Sequence, residues 1–422
     1  MRTTRLAAAL TGAAALLLAG CGVGGSAPQG ASTSRAPELA PGQQVAITFE
    51  SYNFGQAGAW TDTFTALIDQ FHAEHPNITV TAQKPQGTSA NPAADAVSSV
   101  QTQAATGNAP DVAQLGFSDL GFTVHQLGAK PLDDLVGAET VAAHLGGEHP
   151  YAPAAAALGI LDGSTYGIPF VLSTPMLYFN ALLFTAAGLD PADPPSTWAE
   201  VQAAAERIRA ATGREGAYVD CVTTVAKDWC LQSIIRSNGG RVLSEDRTRL
   251  TYDEPAAVEA VRMLQDMVTS GAMPKYTQQQ AVEAFARGEL GMLLESSSVE
   301  GMFRKGAAGA GWELGAAATP SFGDTPAVPT NSGAALFVLA DDPAKQRAAW
   351  ELVAFLTSDV AYTLIAQNIG YLPLRSDLVG EGGALQEWAA QNSSVRINVD
   401  QLGRMEPWVS MPVTTTYRSA TA

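Results

Sequence analysis

The stretch STPMLYFN, residues 173–180, continues DGSTYGIPFVL, residues 162–172, with no charged residue between Asp162 and Asn180. Pro175 pushes Thr174 out of the helical region, so the run is predicted to be extended. Tyr166, Phe170, Tyr178 and Phe179 suit a hydrophobic core, while Ser173, Thr174 and Asn180 interrupt it with polar groups. Taken alone, the run fits equally a plain core strand and a strand with a functional rim. Its neighbours have to decide.

Upstream, QVAITFESYNF (44–54) reads as a strand whose end delivers Tyr52 and Asn53. Trp60, Phe64, Leu67, Ile68 and Phe71 then recur at helical spacing up to Pro76. NITVTAQ (77–83) is a second strand, residues 94–107 a helix closed by Gly107, and PDVAQLGF (110–117) a third strand. This alternation predicts βαβ units and a parallel sheet. Downstream, residues 190–213 form a helix that Ser196 or Thr197 can cap, with Glu200 at the reciprocating position relative to Thr197 and Gly213 as its stop. Residues 254–273 repeat the design, with Pro255 at the start and Gly271 at the exit. FARGELGMLLESSS (285–298) places Ser296, Ser297 and Ser298 between a strand end and a helix N-terminus, where free N–H groups can meet a polar ligand or serve as simple caps. Residues 343–373 are helical with a break near Ser358 and Asp359, and the tail from Gln386 shows little periodicity.

A chain of 422 residues has room for two domains. Its 24 Lys and Arg against 41 Asp and Glu give a formal charge of −17, which excludes general nucleic-acid binding and electrostatic adhesion to an anionic membrane. At the N-terminus, Arg2 and Arg5 precede an uncharged run from Leu6 to Gly20, too short for a comfortable permanent span. Residues 1–20 read as a signal peptide, and LLAGC (17–21) resembles a bacterial lipobox that would put a diacylated Cys21 first in the mature protein. Residues 21–43, rich in Gly, Ser, Ala and Pro, read as a flexible tether, so the folded part is expected outside the cytoplasm, anchored to the cell membrane by lipid. There Cys221 and Cys230 are the remaining pair and are expected to form a disulfide. A metal site would want more ligands than Asp220 and Asp228 supply.

No Walker loop, GxSxG elbow, HExxH or dinucleotide fingerprint occurs, so no catalytic residue, cofactor or metal is assigned. His72 and His75 in HAEH share a helix end, where coordination is chemically possible but exposed beside Pro76. A glycoside hydrolase with acids drawn from distant segments is the enzyme alternative.

The phrases GNAPDVAQLG (107–116), DGSTYGIPF (162–170), STPMLYFN (173–180), AGLDPADPPSTW (187–198), FARGELGMLLESSS (285–298) and GYLPLRS (370–376) resemble the extracellular solute-binding proteins of carbohydrate-type ABC importers. The likeness is nearest to the glycerol-3-phosphate and glycerophosphodiester branch. It implies an α/β, two-lobed periplasmic-binding-protein fold (type II) with a hinge. Residues 45–150 and 312–360 would form the first lobe, and 151–311 and 361–422 the second. The chain would be a monomeric, non-catalytic carrier that hands a sugar or glycerol-phosphate derivative to ABC permease subunits. STPMLYFN is then a core strand with a functional rim near the crossing between lobes.

The resemblance nominates Tyr52, Asn53, Gln56, Phe117 and Ser118 from the first lobe as ligand contacts. It adds Trp229, Ser296, Ser297, Gly333 and Tyr371, together with Arg404 and Trp408 near the end. Aromatic faces would stack on sugar or choline, and Ser, Asn, Gln and backbone N–H groups would orient hydroxyl or phosphate oxygens. One departure stands out. Where the glycerol-phosphate branch carries Gly-Leu-Arg-Leu-Gly, this chain reads QLGRMEPWVSMP (401–412), with Arg404 early and Glu406 and Trp408 in the basic residue's place. That exchange suits a neutral saccharide or a zwitterionic phosphodiester better than glycerol-3-phosphate.

Overall fold

The computed structural model describes residues 35–56, 58–87, 92–222 and 228–409. The signal-like segment, Cys21 and the first part of the tether lie outside them. The tether's far end is not free of the fold: Ala36 is buried in the first core and donates to the Leu135 carbonyl at 2.8 Å, and Arg35 pairs with Glu139.

Among the described residues, eleven strands run in chain order: β1 (Val45–Glu50), β2 (Ile78–Gln83), β3 (Val112–Gly116), β4 (Ile160–Leu161), β5 (Ser164–Thr165), β6 (Gly167–Ser173), β7 (Pro175–Asn180), β8 (Glu215–Val219), β9 (Leu290–Ser296), β10 (Leu314–Ala317) and β11 (Ser332–Val338). They form a five-stranded sheet of order β2-β1-β3-β11-β6, a four-stranded sheet of order β10-β7-β9-β8, and the small β4-β5 ribbon. β1 is parallel to β2 and β3, as the helix-strand alternation predicts. β11, by contrast, is antiparallel to both β3 and β6. Its direction follows from its route: it enters the sheet straight from the other lobe, without a helix to carry it back to the starting edge.

Each sheet carries its own apolar core, so the molecule is two-lobed. The first core gathers Phe49, Phe64, Leu115, Phe170 and Phe337; the second gathers Tyr178, Trp198, Ile208, Leu293 and Phe303. β6 and β7 belong to different cores although only Thr174 separates them, so STPMLYFN (173–180) is where the chain crosses. Buried residues of 151–172 and of 361–405 pack in the first core rather than with 176–317, contrary to the expected grouping. The reason is the strand pairing: β6 is held by β11, and the Leu372 N–H donates to the Leu172 carbonyl at 3.0 Å, which keeps the turn at 370–373 on the first lobe.

Local signals hold where they are strongest. Thr197 and Glu200 form the capping box of the helix Trp198–Thr212, and Gly213 ends it in the left-handed conformation. Pro255 opens the helix Pro255–Thr269. The weakly periodic tail proves helical, with Gln386–Gln391 and Ser393–Leu402. The latter buries Ser394, Asn398 and Gln401, so its hidden face is largely polar and leaves little hydrophobic pattern to read.

Candidate functional site: the facing sheet edges

Strand register fixes which residues share an edge. In the first sheet, the ends of β1, β3 and β6 and the start of β11 lie together: Ser332 pairs with Ser173, Gly333 with Leu172, and Ala334 with Gly116. In the second sheet, Pro175 at the start of β7 pairs with Ser296 at the end of β9, and Val219 at the end of β8 with Leu294. The crossing at Thr174 joins one edge to the other, with the Ser296 hydroxyl donating to Ser173 at 2.8 Å and the Ser297 N–H to the Thr174 carbonyl at 3.0 Å.

On the first edge, Tyr52 and Asn53 open a short 3₁₀ turn capped by Ser51. Burial pushes the Tyr52 phenol up to about 12 against the opposing effect of the Tyr371 hydroxyl, so both tyrosines are neutral hydrogen-bonding groups at physiological pH. Tyr371 also meets Trp60 edge to face at 5.1 Å. Tyr371 was grouped with the second lobe, yet it belongs to the first core beside Tyr52. The Asn53 amide nitrogen donates to Gln114 Oε1 at 2.9 Å, whereas its Oδ1 is buried with no partner among the described residues. Phe117 and Ser118 are buried in the turn after β3. Gln56 lies half-buried beyond them, its N–H donating to the Asn53 carbonyl at 3.3 Å. Gly333 has φ +129, and a side chain there would collide with the Val171 carbonyl, so close strand approach requires glycine.

On the second edge, Ser296 caps the turn Ser297–Val299, and the Ser297 hydroxyl is buried without a partner among the described residues. Cys221 and Cys230 are joined by a disulfide with Cα atoms 5.0 Å apart, tying the end of β8 to the helix Asp228–Ser237. Trp229 on that helix is buried, and its carbonyl accepts from the Thr330 hydroxyl. Trp408 packs against the second core, and its N–H donates to Asn331 Oδ1 at 2.8 Å. Arg404, in contrast, is exposed on a turn where its Nη1 donates to the Ala327 carbonyl at 3.4 Å; the structure does not bring it to either edge. Glu406 instead engages Arg236.

Sequence reading missed two residues of this region. Asn331 had no periodic context to flag it. Gln401 lay in the unassigned tail, yet its amide donates to Thr174 Oγ1 at 2.9 Å and the Pro175 carbonyl at 3.1 Å while its Oε1 accepts from the Thr319 N–H at 2.8 Å. The histidine pair is structural: His72 accepts from the Val80 N–H at 2.9 Å, and His75 stacks on Phe71 at 4.5 Å. No group of metal-ligating side chains occurs among the described residues.

Comparison with known proteins gives this geometry its context. A protein of Brucella abortus described as a binding protein is 25% identical over 318 residues, covering 74% of this chain and 73% of its own. The sn-glycerol-3-phosphate-binding periplasmic protein of Brucella melitensis is 30% identical over 226 residues, half of each chain. Among solved structures, the glycerophosphocholine complex of a Mycobacterium tuberculosis relative superposes with a TM-score of 0.74 at 23% identity, covering 89% of this chain and 91% of that one. The GacH receptor of Streptomyces glaucescens, solved free and with acarbose, gives 0.74 at 22% identity over 90% and 91%. These superpositions establish the bilobed fold. The description "bacterial extracellular solute-binding protein" matches residues 66–391. An extracytoplasmic carrier of this kind binds its solute between lobes and passes it on unchanged, which sets aside the hydrolase alternative. The chain belongs to the bacterial extracellular solute-binding proteins, the solute-capturing components of ABC importers.

Proposed function

We propose that the protein captures a carbohydrate or related polyol derivative between the two facing edges and delivers it to an ABC permease. The observation that carries this reading is the mixture at those edges. Aromatic side chains (Tyr52, Tyr371, Trp229, Trp408) accompany neutral hydrogen-bonding groups (Asn53, Ser118, Ser296, Ser297), while Arg404 is engaged with a backbone carbonyl, Arg236 with Glu406 and Arg304 with Glu300. Phe117 and the Gly333 backbone complete the contacts we assign. Gln56 lies at the rim, and Arg404 is a contact only if its turn moves. A glycerophosphodiester is the second reading, favoured by the relatives that bind glycerol-3-phosphate and glycerophosphocholine.

The lobe division we adopt follows the cores: residues 45–172 and 334–405 in the first lobe, and 176–317 in the second. In this reading the mature chain is a monomer held at the cell membrane through a diacylated Cys21. Palmitate labelling tests the anchor: label lost in C21A supports it, and label retained contradicts it. Calorimetry against mono- and disaccharides, glycerol-3-phosphate and glycerophosphocholine tests the solute. Saccharide binding weakened by W408A and indifferent to R404A supports the reading; tight binding by glycerol-3-phosphate alone contradicts it.

A further inference from the structure

Asn331 stands where the second crossing enters β11, one residue before Ser332 pairs with Ser173. Its side chain is fully buried, and its two ends differ. Oδ1 accepts the Trp408 N–H at 2.8 Å, which fixes the orientation of the amide because a backbone N–H can only donate. Nδ2 is therefore the other end, a donor with two hydrogens, and it has no partner among the described residues. Leaving a buried amide donor unmet costs free energy unless something fills it. The same edge region holds further unmet atoms of different kind, among them Asn53 Oδ1 and Ser297 Oγ. An acceptor, a hydroxyl and a donor thus come from the first sheet, the second sheet and the crossing between them.

We propose that Asn331 is a solute-contacting residue, donating from Nδ2 to an oxygen of the bound saccharide while its Oδ1 holds the Trp408 backbone. The inference rests on the function proposed above and adds a contact that neither the motifs nor the resemblance nominates. It also couples recognition to the joint. The amide that meets the solute is the one that accepts the Trp408 backbone N–H, so the contact and the seating of Trp408 share one side chain.

Asn331→Asp separates contact from scaffolding, because a carboxyl keeps the acceptor for the Trp408 N–H and loses the donor when ionised. Calorimetry with maltose and with glycerophosphocholine, on wild type and N331D at pH 8 and pH 5, reads the difference. We expect N331D to bind at least tenfold more weakly than wild type at pH 8. Burial holds the introduced carboxyl well above the usual aspartate range, so toward pH 5 it protonates, again offers a donor and narrows the gap, and a thermal melt at pH 5 stays close to wild type. Equal or tighter binding by N331D at pH 8 overturns the inference. A gap of the same size at both pH values also overturns it, since that reports a disturbed Trp408 tie. A pH-dependent gap with glycerophosphocholine alone keeps the donor role and overturns the saccharide reading. A wild type that binds neither probe removes the reading and the inference with it.

Discussion

Two regions of this molecule bury polar side chains, and they treat them in opposite ways. At the joint, Gln401 uses both ends of its amide: it reaches Thr174 and Pro175 of one crossing and Thr319 of another, and Asn398 adds a bond with Thr174. At the sheet edges, Asn53, Ser297 and Asn331 each keep one atom unmet among the described residues. Buried polar groups cost free energy unless they are partnered. A partnered set therefore holds the structure together, while a set with spare atoms is poised for an outside partner. The contrast teaches that burial alone does not separate scaffold from site; at these two places the completeness of hydrogen bonding does.

The largest effect should come from breaking the complete set. Gln401→Ala strips both crossings of partners in a buried place, and urea denaturation should show a loss of about 2–4 kcal/mol. A loss near zero would mean that the joint is not held by this amide.

Acid should sharpen the same contrast through a second complete cluster. Arg375 donates to the carbonyls of His144 at 2.8 Å and His149 at 2.6 Å, and His144 Nε2 bonds Thr357 at 2.8 Å. Burial, with the Arg375 charge beside it, lowers the His144 imidazole to about 4. The unfolded chain takes up a proton near pH 6.5 that the folded one refuses, so stability is full above that pH and declines as pH falls toward about 4. The loss should be on the order of 2–3 kcal/mol and absent in a stable His144→Gln variant. Equal pH profiles for the two proteins would contradict the assignment.

Reduction of Cys221–Cys230 should cost less, about 2 kcal/mol, because the bond closes a loop with a sequence separation of only 9. Solute affinity should fall with it, since Trp229 adjoins Cys230. Unchanged affinity would remove Trp229 from the contacts.

The smallest stability effect belongs to the incomplete set. Ser297→Ala deletes an atom with no partner among the described residues, so its melting should shift little, within about 0.5 kcal/mol. Its saccharide affinity should drop about tenfold, roughly 1.4 kcal/mol. Destabilisation without an affinity change would reverse the roles given to the two regions.

The sequence exposed much of the fold and less of the candidate site. Apolar periodicity marked β1 to β3 and the helices between them, and capping chemistry located the helix at 198–212. The serines after β9 were visible because a strand pattern ended on them. Asn331 and Gln401 were hidden for a physical reason: their value lies in which atoms remain bonded after distant segments meet, and no local period encodes that. The direction of β11 was hidden likewise, since it depends on the chain returning from another lobe. Arg404 was legible only as a residue displaced from the family phrase, and it sits on an exposed turn where it donates to the Ala327 carbonyl.

The most direct test of solute capture between lobes is small-angle X-ray scattering of the protein titrated with the saccharide that calorimetry identifies, with the saccharide assayed chemically afterwards. The account predicts one saccharide bound per chain, a smaller radius of gyration at saturation, and the sugar recovered intact. An unchanged radius at saturation, or steady conversion of the sugar, would contradict it.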